Sequence, residues 1–158
     1  MDGDAICREL EEKIEEGLDF NSVKELAVAR IHESNERFHW TGIYELFPDN
    51  TLRLGAFVGA PTDHVFIGVG QGVCGSAVAE RRNMNIPDVN LISNYLACSA
   101  ETSSELVVLI RSGEKIHGQI DLDSHEIAAF DDAIEAEVQK VADFLARRYD
   151  GWPVFREA

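Results

Sequence analysis

Apolar residues near the start of the chain recur at spacing four. Ile6, Leu10 and Ile14 predict an amphipathic helix over Ala5–Glu16. Asn21 reads as an N-cap, and Val23, Leu26, Ala27, Val28 and Ile31 carry the helical period on to about Asn35. From His39 to Phe47 the pattern takes on strand character, and Pro48-Asp49-Asn50 signals a turn into a second strand, Leu52–Val58, closed by Gly59-Ala60-Pro61. Val65–Val69 reads as a short strand before a glycine turn and a helix over roughly Cys74–Arg81. Ile86-Pro87-Asp88 then breaks the pattern, and Asn90–Thr102 reads as a long polar loop. Glu105–Ile110 and Lys115–Asp123 predict a hairpin across Ser112-Gly113. Ile134, Val138, Val141 and Leu145 place a last helix over about Asp131–Arg148.

Helices at both ends with strands between them argue for an α+β fold. The expectation is a central antiparallel sheet with the N- and C-terminal helices packed on one face, rather than alternating βαβ units. With 158 residues, 45% of them apolar, and neither an internal repeat nor a linker, one domain with a sizeable core is expected. Within it, 1–36 form the N-terminal helices, 37–125 the sheet and pocket loops, and 126–150 the C-terminal helix.

The net charge of −15 changes the picture only by exclusion: so negative a surface repels nucleic-acid phosphates and anionic headgroups, so neither nucleic acid nor membrane is an expected partner. No stretch is long and apolar enough to span a bilayer. Met1-Asp2-Gly3-Asp4 lacks a signal-peptide pattern, and three cysteines do not form a secreted disulfide framework. A cytoplasmic location is therefore expected.

Candidate chemistry centres on Gly70-Gln71-Gly72-Val73-Cys74-Gly75. The segment formally matches the dinucleotide-binding glycine pattern, but no βαβ unit surrounds it and no acid stands where a ribose would need one. Its local meaning is different: backbone N–H groups at a helix start favour a thiolate. Cys98, in the polar loop, is the second candidate thiol, while Cys7 lies beside the apolar face of the first helix and is given no role. Asp121 and Asp123 alternate with Ile120 and Leu122, so both acids share one strand face, and Glu105 starts the neighbouring strand. Acids paired on a largely buried strand need a positive partner, such as the amino group of a small ligand. Trp40, Gly42 and Tyr44 share a strand face in the same way, as pocket walls or as ordinary core. The five histidines show no zinc spacing, and no metal site is expected.

Taken in order, Trp40-Thr41-Gly42-Ile43-Tyr44, Leu54–Gly59, Gly70–Gly75, Pro87-Asp88-Val89, Ala97-Cys98, Ser104–Val108 and Gly118–Ser124 resemble the GAF domain of free methionine-(R)-sulfoxide reductases over about Trp40–Phe130. The resemblance implies a single GAF domain that reduces free methionine sulfoxide with Cys74 and Cys98 as catalytic thiols. They would act through a cysteine sulfenic acid and a Cys74–Cys98 disulfide. It implies Glu105, Asp121 and Asp123 as substrate-holding and proton-donating carboxylates, with Trp40 and Tyr44 lining the pocket. No bound cofactor is implied, only an external dithiol such as thioredoxin. The first of the family's three cysteines falls at His64, and an auxiliary electrostatic role for that imidazole is the corresponding expectation. A homodimer through the terminal helices is compatible with the fold. The alternative reading is a GAF module that binds a small molecule without turnover.

Overall fold

Two acidic side chains start the first two helices. The computed structural model describes residues 1–92 and 101–151. In α1 (Gly3–Glu15) the Asp2 carboxylate accepts from the Ala5 N–H, and in α2 (Phe20–Glu33) Asp19 accepts from the Ser22 N–H at 2.8 Å. The second cap is thus Asp19 and not Asn21. Starting there brings Phe20 inside the helix, where its ring is buried.

The strands are β1 (Trp40–Leu46), β2 (Thr51–Val58), β3 (Phe66–Gly68), β4 (Met84–Ile86), β5 (Ser104–Ser112) and β6 (Lys115–Ser124). They form one six-stranded sheet in the order β3-β2-β1-β6-β5-β4, and every neighbouring pair is antiparallel. Two further helices, α3 (Gly72–Glu80) and α4 (Asp132–Gly151), and a 3-10 turn over Val89–Leu91 complete the elements among the described residues. β4 and that turn were not legible as elements. β4 is a three-residue edge strand set by its pairing with β5 and ended by Pro87, which cannot extend the ladder.

Period-two alternation divides the sheet's two faces. Ile43, Ile120, Leu122, Leu106, Val108 and Ile110 face α1, α2 and α4, where Leu10, Ile31, Val138, Val141 and Leu145 are fully buried. Trp40, Tyr44, Val107 and Leu109 face the other way, onto Val73, Cys74, Ala77 and Val78 of α3. The terminal helices therefore share one face, as the hydrophobic pattern predicts, and the short glycine-led helix α3 occupies the other.

Candidate active site

The acids meet because of a bulge. At the tip of the β5–β6 hairpin Ser112 pairs with Lys115 and Arg111 with Ile116, but Ile110 then pairs with Gly118, leaving His117 as an extra residue on β6. Beyond the bulge Glu105 stands opposite Asp123 and Val107 opposite Asp121. Without it Glu105 would face Leu122, and an acid would sit over an aliphatic neighbour. On the other flank of β6, β1 pairs Trp40 with Asp123 and Gly42 with Asp121. Glu105, Asp121, Asp123, Trp40 and Tyr44 thus share one sheet face, each 2% exposed or less.

α3 brings the thiol. Cys74 is the third residue of the helix, so its Sγ leaves the first turn towards the sheet and donates to Glu105 Oε2 at 3.6 Å. Sγ and one oxygen each of Glu105 and Asp121 lie within 4.8 Å of one another. Among the described residues this is the group near enough to share a proton or a single ion. Two contacts fix the turn. Gln119 Nε2 donates to the Cys74 carbonyl at 3.0 Å, and Gly75 packs so tightly on Gly68 O and Gly70 N that a Cβ there would overlap backbone. Gln119 escapes motif reading, although its place two residues before Asp121 puts it on the same face.

Burial sets the protonation of the centre. Glu105 is held well above the ordinary carboxylate value of 4.5, first by loss of water and then by the negative charges of Asp121 and Asp123. A hydrogen bond with Asp121 pushes the same way, and the one from Cys74 opposes it. The result is a carboxyl that keeps its proton to higher pH than an ordinary one, beside a thiol, in a site that favours any cation entering it.

The aromatic residues hold a loop as well as a wall. Trp40 Nε1–H donates to Ala60 O at 3.0 Å and the Tyr44 hydroxyl to His64 O at 2.8 Å, tying the segment after β2 across the site. Gly42 leaves room for this indole, since a Cβ there would run into its six-membered ring. His64 is half-buried and joins the site through its carbonyl. Its imidazole is not part of the thiol–carboxylate cluster. Cys98 lies outside the described residues. Cys7 sits on the opposite, helical face, where its thiol donates to Lys140 O and burial raises its pKa. Two hollows flank the cluster. One of 340 Å³ runs beside Gly72, Val73 and Ser76 of α3, and one of 210 Å³ reaches Trp40 and Asp123.

No family model matches the chain. The free methionine-R-sulfoxide reductase of Escherichia coli is 36% identical over 113 residues, spanning 72% of this chain and 67% of that protein. The chain belongs to the free methionine-R-sulfoxide reductase family. Its fold agrees with that membership. The type II free methionine-R-sulfoxide reductase of Thermoplasma acidophilum superposes with a TM-score of 0.77 at 39% identity, over 80% of this chain and 89% of that one. A solved GAF domain superposes at 0.80 with 30% identity, over 93% and 89%. In this free methionine-R-sulfoxide reductase family member the sheet carries Glu105, Asp121, Asp123, Trp40 and Tyr44 on the face away from its terminal helices, and α3 sets Cys74 against that face. Among the described residues no helix is long and apolar enough to cross a membrane.

Proposed function

We propose that this protein reduces free methionine-(R)-sulfoxide to methionine, with Cys74 and Cys98 as its working thiols. The observation that carries the reading is the 3.6 Å contact between Cys74 Sγ and the buried Glu105 carboxyl, whose surroundings push its pKa upward. One cysteine sulfur attacks the sulfoxide sulfur while Glu105 gives its proton to the sulfoxide oxygen. The S–O bond of the substrate breaks, methionine leaves, and the oxygen stays on the attacking cysteine as a sulfenic acid. The attacking thiol's own proton restores Glu105. The second thiol then displaces water from the sulfenic acid, forming a disulfide, and an external dithiol of the thioredoxin class reduces it by exchange.

Asp121 and Asp123 suit the substrate ammonium, because a cation between two buried carboxylates relieves a burial that is otherwise costly. That contact selects the free amino acid, since a peptide-bound residue has no ammonium to offer. Trp40 and Tyr44 cover the apolar carbons of the side chain.

The test is methionine formation from free methionine-(R)-sulfoxide, its (S) epimer and N-acetyl-methionine-(R)-sulfoxide, each with excess dithiol. The reading expects product from the first alone, and loss of product in Cys74→Ser and Cys98→Ser. Absence of product from all three in the wild-type protein would leave a GAF module that binds a small molecule without turning it over.

A further inference from the structure

Cys74, Glu105 and Asp121 come from three elements, α3, β5 and β6, so no spacing in the sequence announces them as a set. The fold makes them one. Their donor atoms lie within 4.8 Å of one another, and the residues are 5%, 1% and 0% exposed. One edge of the set already has the spacing of two metal ligands. With Zn–S about 2.3 Å and Zn–O about 2.1 Å, a sulfur and an oxygen on a tetrahedral zinc ion stand about 3.6 Å apart. Cys74 Sγ and Glu105 Oε2 are 3.6 Å apart. A small side-chain rotation closes the remaining separations to the same edge. The other oxygen of that carboxyl, Glu105 Oε1, is buried and receives no hydrogen bond among the described residues, so a cation reaching it displaces no donor. Asp123 stands opposite Glu105 across the ladder and adds a further carboxyl beside the set.

We propose that Cys74, Glu105 and Asp121 form a binding site for a thiophilic divalent cation of the zinc class, which holds the thiol in the reduced, substrate-free protein. The donor set selects the ion. One sulfur and two carboxylate oxygens suit zinc, cadmium or cobalt(II), with the fourth position left to water, whereas magnesium and calcium demand larger all-oxygen shells. Cys74 binds as the thiolate, its proton passing to solvent. The thiolate and two carboxylates bring three negative charges to an ion that carries two positive ones, and the cation thereby offsets charge that burial makes costly. Gln119 lends outer support: from the strand that carries Asp121, its Nε2 donates to the Cys74 carbonyl and fixes the turn that aims the sulfur. The 340 Å³ hollow beside Gly72, Val73 and Ser76 gives the ion a way to the first turn of α3. A bound ion occupies the same sulfur and carboxyl that the proposed reduction uses and so blocks it. The site itself is defined by its donors and does not depend on the sulfoxide substrate.

Titration of the reduced, metal-stripped full chain with Co²⁺, followed by absorption, tests this. The expected result is one equivalent bound, with the visible bands of tetrahedral cobalt(II) and a near-ultraviolet thiolate-to-cobalt charge-transfer band, both removed by Zn²⁺. Cys74→Ser should abolish the charge-transfer band and weaken binding about a hundredfold or more. Glu105→Gln and Asp121→Asn should each weaken it about tenfold or more and keep the band, since a lost ligand costs no less than the tenfold to hundredfold of a lost outer-shell partner. Cys7→Ser, with its thiol on the helical face, should match the wild type. Zinc-edge X-ray absorption of the wild-type protein, which needs no variant, should show one sulfur neighbour and otherwise oxygen. No charge-transfer band up to millimolar Co²⁺, a band that survives Cys74→Ser, affinity unchanged in both carboxyl variants, or a zinc shell with no sulfur or more than one overturns the site. None of these readouts uses turnover, so a failed sulfoxide assay and a failed metal titration are separate results.

Discussion

Glu105 is the residue on which the chemistry and the stability of this protein pull in opposite directions. Its folded-state pKa lies well above the ordinary 4.5, so the native protein binds the proton more tightly than the unfolded chain does. The stability linked to this group is therefore fully present below about pH 4.5 and is lost as pH rises through the raised value. Glutamine keeps the shape without the titration. Glu105→Gln should therefore raise the thermal midpoint relative to wild type at pH 8 and give little or no gain at pH 4.5, as read by thermal unfolding at the two values. A difference that does not change with pH would contradict the assignment. The same substitution removes the proposed proton donor and should lower turnover by about a hundredfold or more, the usual scale of a positioned general acid.

At the scale of elements, the site depends on how closely α3 sits on the sheet. Gly75→Ala forces a Cβ against Gly68 O and Gly70 N, and the first turn of α3 must shift with Cys74 in it. A stability loss of about 1–3 kcal/mol is expected from such overpacking, with a fall in kcat larger than the fraction unfolded accounts for. Denaturant titration alongside kinetics checks this. Full activity per folded molecule would mean that Cys74 tolerates the shift.

The alternation Ile120-Asp121-Leu122-Asp123 declares its two faces in sequence because the strand period is two, and Trp40 and Tyr44 declare theirs in the same way. What brings Glu105 level with Asp123 is the extra residue His117, and a one-residue bulge leaves no compositional mark in a run of strand-forming residues. β4 is too short to show a period, and Asp19 and Asn21 are equally good caps until the burial of Phe20 decides between them. The stack of His39 on His125 depends on a contact between distant segments, which no local pattern encodes.

For the molecule as a whole, the sheet separates what holds the fold from what performs chemistry. The helical face carries its own buried polar link: Lys24 Nζ contacts Glu45 Oε2 at 3.2 Å, with side chains 7% and 15% exposed, and the Tyr149 hydroxyl donates to the same oxygen at 2.8 Å. That link joins α2, β1 and α4. Lys24→Ala leaves Glu45 without its cation and should cost about 3 kcal/mol. Since Glu45 points away from the Trp40–Tyr44 face, the substrate KM of the folded fraction should not change. A changed KM would mean that the two faces are coupled through β1.

The central claim is that Cys74 and Cys98 together reduce a sulfoxide, and a single turnover without external dithiol tests it most directly. Fully reduced protein is mixed with free methionine-(R)-sulfoxide, methionine and free thiols are counted, and the disulfide is mapped by peptide mass spectrometry. The account predicts about one methionine per chain, the loss of two thiols and a Cys74–Cys98 linkage. No methionine with all thiols retained, or methionine formed with a linkage that omits Cys74, would contradict it.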